Sequence, residues 1–113
     1  MSDELRQLSA DLGKASAEIT RKAQQVVAKT AHDIEATAKR NAPVDTGALR
    51  NSISASITGG GMQAVIGPTV SYGAFVEFGT RRMRPQPYMG PALTSHEPMF
   101  TRAVESLIQE ALW

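Results

Sequence analysis

An α+β fold is predicted for this chain of 113 residues by three features of its sequence. Residues 3–40 form a proline-free, helix-forming stretch, a polar–apolar alternation is interrupted by three consecutive glycines, and a second helix-spaced apolar stripe follows near the C-terminus. The expected order is a long N-terminal amphipathic helix, a small antiparallel sheet built on a β-hairpin, a short middle helix and a C-terminal helix. The length is near the usual size of one domain. Residues 1–113 are therefore expected to form a single domain: the long helix over 1–41, a β-rich core with the short helix and a basic loop over 42–90, and the C-terminal helix over 91–113.

The first helix is rich in Ala, Lys, Gln and Glu, which favour helix. Leu5, Leu12, Ile19 and Val26 recur every seven residues with Leu8 and Ala15 between them, and the stripe then moves to Val27, Ala31, Ile34 and Ala38. That is one apolar face at helical spacing. Ser2 is placed to cap the start, and Asp3 and Glu4 suit the positive end of the dipole. Glu18 with Lys22 and Glu35 with Lys39 stand in the favourable i,i+4 order. Pro43 ends the helix, because the residue before proline avoids helical angles. Such a helix measures about 57 Å, whereas a compact domain of this size is about 35 Å across. It either overhangs its own domain or breaks near Gly13, where glycine costs about 1 kcal/mol relative to alanine. In both cases a neighbouring subunit is expected to cover part of the stripe.

Beyond Pro43 the pattern changes. Pro43, Asp45, Thr46 and Gly47 read as a structural turn, with Asp45 as its cap. Ser52, Ser54 and Ser56 alternate with Ile53, Ala55 and Ile57, the period of a half-buried strand. Three glycines at 59–61 reverse the chain, and residues 62–66 return as the second strand. Between Thr46 and Val76 the only charged residue is Arg50, so this stretch is expected to be buried in the fold or against a partner. Residues 72–78 read as a short helix with Tyr72, Phe75, Val76 and Gly79 on one side; a strand would instead align Ala74, Val76 and Phe78. Three arginines and three prolines over 81–91 make an extended loop or an edge strand. The last helix, over 91–112, carries Phe100, Val104, Leu107, Ile108 and Ala111 on one face, and Pro98 either kinks it or opens a fresh helix.

Several kinds of chemistry are excluded. With no cysteine and two histidines, neither thiolate chemistry nor a histidine-built metal site is expected. No nucleophile elbow, zinc-binding helix, P-loop or dinucleotide fingerprint occurs, and the triple glycine lies between strands rather than before a helix. No catalytic residue, cofactor or metal ligand is expected. The formal net charge of +1 gives no global attraction to nucleic acid. No apolar run is long enough to cross a membrane, and the acidic N-terminus lacks the character of a signal peptide, so cytoplasmic synthesis is expected. His32 reads as a wet-flank residue and His96 as a surface residue or local cap.

The one basic concentration is Arg81, Arg82 and Arg84. It suits the carboxylates of a partner protein or the phosphates of a nucleic acid. Only Tyr88 lies near enough in sequence to interleave, which disfavours single-strand binding. Glu77, alone in an apolar run, is expected to pair with one of these arginines or to face an interface.

The stretch Ala42-Pro43-Val44-Asp45-Thr46-Gly47-Ala48-Leu49-Arg50-Asn51-Ser52-Ile53 resembles a signature of tailed phages, the gene ten-like minor tail and neck proteins of lambdoid HK-type phages. Tyr72-Gly73-Ala74-Phe75-Val76-Glu77-Phe78-Gly79-Thr80 resembles a second motif of that family, departing from it at Gly73, where alanine is usual. Arg84-Pro85-Gln86-Pro87-Tyr88 and Pro91-Ala92-Leu93 resemble a third. The resemblance covers about residues 20–112, so the first dozen residues are expected to be particular to this chain. It implies a virion structural protein at the head–tail junction, assembled in the bacterial cytoplasm as a homo-oligomeric ring, commonly a hexamer. The implied partners are a head-closure or connector protein and the tail-tube protein, with DNA passing through the lumen without specific binding. On this reading Arg81, Arg82, Arg84, Glu77 and Tyr88 serve a subunit or partner interface. The alternative is a small nucleic-acid-binding protein using the 81–84 loop and the helix lysines.

Overall fold

A computed structural model of the chain describes residues 3–43 and 47–112, and the side chains of all of these except 3–13 and 15. Ser2, Asp45 and Thr46, to which capping and turn roles were assigned, lie outside the described residues. Helix α1 (Asp3–Asn41) is followed by α2 (Ala48–Ser52), strands β1 (Ser54–Thr58) and β2 (Gln63–Gly67), α3 (Gly73–Phe78) and α4 (Met89–Leu112). This is the α+β architecture expected from the sequence.

Helix α1 runs unbroken through Gly13 for 39 residues, about 58 Å of rod. The molecule is accordingly elongated, 72 × 22 × 20 Å with a radius of gyration of 19.6 Å, where a compact chain of this length would have about 13 Å. The expected i,i+4 pairs form along α1, with Lys39 to Glu35 at 3.1 Å and Lys22 to Glu18 at 3.9 Å. Helix α4 lies antiparallel to α1. His96 on α4 meets Thr37 on α1, Nε2 to Oγ1 at 2.7 Å, and Glu110 further along α4 pairs with Lys22. His96 is therefore a tie between the two long helices rather than a local cap. The stretch of α1 before about Ile19 projects past the C-terminal end of α4, which is the overhang that its length implied.

Strands β1 and β2 pair antiparallel, with Ala55 opposite Ile66 and Ile57 opposite Ala64 on the face that meets α1. Ser56 and Val65 occupy the other, exposed face. The first strand begins at Ser54 rather than Ser52. Residues 48–52 are helical instead, because Leu49 and Ile53, four apart, both enter the core, 4 % and 1 % exposed. Ser52 closes this turn by donating to the carbonyl of Leu49 at 2.8 Å. The glycines at 59–61 form a 3₁₀ turn in which all three have positive φ, a backbone that a side chain would disfavour.

The core comprises Ile34, Ala38, Ala42, Leu49, Ile53, Tyr88 and Ala92, with Ile66, Val70, Val76 and Met89 packed around it. All of it gathers where α1 ends and α4 begins. Helix α4 starts at Met89, two residues earlier than expected, and continues through Pro98 without interruption.

Candidate assembly surface

The residues nearest the three arginines first hold the fold together. Glu77 on α3 points at the N-terminus of α4. Its Oε1 accepts the backbone N–H of Tyr88 at 3.1 Å and of Met89 at 2.8 Å, and its Oε2 accepts that of Gly90 at 3.1 Å. The next residue, Pro91, has no N–H. One carboxylate thus satisfies the donors that a helix start leaves unpaired, and it places negative charge at the positive end of the dipole. This corrects the expectation that Glu77 pairs with an arginine: three backbone donors converge on it, and among the described residues no arginine forms an ion pair with it.

Tyr88 is also reassigned. It is 1 % exposed, and its hydroxyl donates to the carbonyl of Gly73 at 2.9 Å. Burial raises the phenol pKa above its ordinary value, and the negative charge of Glu77 adds to that shift. Tyr88 is a core residue and offers no surface to a neighbouring subunit. It also explains Gly73. A Cβ there would stand 2.5 Å from Cγ of Pro68 and 2.8 Å from the Tyr88 oxygen, so glycine lets α3 sit down on both.

Arg50, the lone charge of its stretch, plays the complementary part. Its Nε donates to the carbonyl of Lys39 at 2.9 Å, bringing a cation to the negative end of α1. Arg50 stands isolated in the sequence pattern, which carries no sign of this role because its partner is a main-chain carbonyl. Gly47, at φ 76°, opens α2, as a turn glycine should; Pro43 follows the end of α1.

The arginine loop projects from this scaffold. Its backbone is fastened by Gln86 N–H to the carbonyl of Val76 at 2.8 Å and by Thr80 N–H to that of Met83 at 2.9 Å. Gly79, at φ 78°, allows the crossing, since a Cβ there would meet the Met83 carbonyl and the Pro85 nitrogen at 2.8 Å. Arg81, Arg82 and Arg84 are exposed, and none forms an ion pair among the described residues. Beside them stand Phe78, 78 % exposed, and Phe75, 57 % exposed. The short helix forms as expected, but Phe75 and Tyr72 are exposed and the buried contact is made by Gly73 and Val76.

A second apolar surface lies along the other half of the molecule. A cleft of about 310 Å³ is bounded by α1 at Val27 and Ile34, β2 at Ala64 and Ile66, and α4 at Leu93, Glu97 and Phe100. It continues past Met62 into a second cleft of about 300 Å³ between Ile19 and Ala23 of α1 and Val104 and Ile108 of α4. Among the described residues no group of three or more acidic or histidine side chains is arranged to hold a metal ion, and no helix is long and apolar enough to cross a membrane.

These features define a small, elongated α+β protein whose motif charges hold its own helix ends while aromatic and aliphatic side chains remain in water. Residues 6–79 match the family described as "Bacteriophage HK97-gp10, putative tail-component". Because that span is well over half of the chain, the protein belongs to this family, and it is a phage structural protein, a tail component of the virion. The match contains the first motif and the second as far as Gly79. It also reaches back to residue 6, so most of α1 belongs to the family rather than being particular to this chain. The third motif, from Arg84, lies beyond the matched span. Comparison with curated proteins and with solved structures gave no match.

Proposed function

We propose that the protein acts at the head–tail junction as a ring of about six copies, bound to a head-closure or connector protein on one side and to the tail tube on the other. In this role it does no chemistry, and DNA passes through its lumen without specific binding. The exposed guanidinium groups of Arg81, Arg82 and Arg84 meet acidic groups of a neighbouring subunit or of the tail tube. The observation that carries this reading is the apolar surface the single chain leaves in water. Half of the buried hydrophobic residues are alanines, whereas Met62, Val65, Phe75, Phe78, Leu93, Met99, Ile108 and Leu112 are all more than half exposed. Apolar surface on that scale marks a contact surface, and a structural tail protein supplies the contacts to cover it.

Light scattering of the purified protein, with negative-stain images of the same sample, tests the ring, and phage joining in the infected cell tests the place. The expected result is a closed assembly of about six copies, with Arg82→Ala or Arg84→Ala folding normally but failing to assemble or join heads to tails. Normal joining by both variants would overturn the role of the loop. A salt-sensitive gel shift with duplex DNA, lost in the same variants, would replace the ring reading with the nucleic-acid one.

A further inference from the structure

Two surfaces of the chain are unlike one another and share no residue. The first is the 75–84 segment at the end of the molecule where α1 finishes, a tip that exposes Phe75 and Phe78 together with Arg81, Arg82 and Arg84. The second is the concave apolar groove between α1 and α4, which runs from Leu93 toward the opposite end. Among its described residues the tip carries three guanidinium groups, and its carboxylate, Glu77, is engaged by the backbone of α4. The α4 wall of the groove has the opposite character. Glu97 lines it, Glu105 lies two turns further along the same helix, both residues are exposed, and neither forms an ion pair among the described residues.

From this complementarity we infer that the aromatic tip of one copy docks in the α1–α4 groove of the next, Phe78 entering the apolar cleft and the arginines meeting Glu97 and Glu105 on its rim. The inference rests on the assembly reading above and adds to it the pair of surfaces that mate. A second copy is the occupant that fits, because each copy carries both the basic aromatic knob and the acidic apolar socket. Two different surfaces in contact make a head-to-tail interface, which closes into a ring when the rotation per subunit divides a full turn and otherwise extends as a filament. An interface of this kind leaves one unused tip and one unused groove on every open oligomer. A two-fold interface, in which one patch meets itself, leaves neither.

That asymmetry gives the test. A tip variant combines Phe78→Ser with Arg82→Ser, and a groove variant combines Glu97→Lys with Ile108→Lys, so that the two altered surfaces have no attraction for each other. All four positions are exposed, so thermal melts of both variants should match the parent chain. Sedimentation velocity should show each variant alone associating at least about tenfold more weakly than the parent, since the tip variant has lost its apolar knob and one cation and the groove variant sets lysines against the arginines of the tip. An equimolar mixture should form a heterodimer and stop there, because one intact tip meets one intact groove and no second pair remains. If the parent chain forms closed oligomers and the two variants do the same, the mating surfaces are wrong while the ring reading stands. If the mixture contains only monomers, or if the parent chain shows no association even at millimolar concentration, self-docking through these surfaces is overturned. In the last case phage joining still decides the role at the junction.

Discussion

The two ends of the α1–α4 pair are built from similar amphipathic helices yet finish differently. At the proximal end, where α1 stops and α4 starts, Ile34, Ala38 and Ala92 are covered by a third layer formed by α2, β2 and the segment carrying Tyr88, and all are 5 % exposed or less. Toward the distal end Ile19, Val26, Phe100, Val104 and Leu107 have the same spacing, but none of them is fully buried. Two helices side by side cannot enclose their own apolar stripes. The sequence pattern of a helix therefore marks a face to be covered, and the fold decides whether the cover belongs to the same chain.

Substitutions at the two ends should separate these roles. The largest loss is expected from Tyr88→Ala, about 3–5 kcal/mol, seen as a lower urea midpoint. Glu77→Ala strands three backbone donors and should cost about 2 kcal/mol, with faster amide exchange at Tyr88, Met89 and Gly90 and a smaller loss for Glu77→Gln. Gly73→Ala introduces the methyl group for which Pro68 and Tyr88 leave no space, an overpacking cost of about 1–3 kcal/mol. An unchanged midpoint would show that those two side chains move aside freely. A pH effect accompanies Tyr88. Because folding raises its pKa above the usual 10.0, its stabilising contribution is complete below that value and is lost as the pH climbs through the higher folded value. Alkaline titration of the melting temperature should show this fall, and Tyr88→Phe should remove it. At the other extreme, Phe78→Ser and Ile108→Ser should change monomer stability by no more than about 0.5 kcal/mol, while the proximal substitutions are felt in full.

Much of this division was legible in the sequence. The seven-residue recurrence from Leu5 to Val26 announced a helix too long for a compact domain, and the serine alternation around Ile53, Ala55 and Ile57 announced the hairpin. The family motifs placed Glu77 and Tyr88 near a contact surface, but the structure turns both inward. The reason is that backbone groups leave no trace in a side-chain pattern. Glu77 binds N–H groups 11 to 13 residues further on, and Arg50 binds a carbonyl 11 residues back. An isolated charge in an apolar run therefore reads as easily as an interface residue as it does a helix cap. The α2 turn was hidden for another reason. Leu49 and Ile53 carry the i,i+4 signal, but Ile53 also fits the strand alternation, and burial at the core settles which period it obeys.

The Lys22–Glu110 contact has a consequence for how the molecule responds to its solvent. It bridges the two long helices in the distal half, and both side chains are well hydrated, 32 % and 49 % exposed. The proximal end is fastened by part-buried helix caps and by buried packing, which dissolved ions barely reach. At physiological ionic strength the Debye length is about 8 Å and it shortens as salt is added. Added salt thus weakens this cross-helix bridge in the distal half and leaves the packed proximal end unchanged.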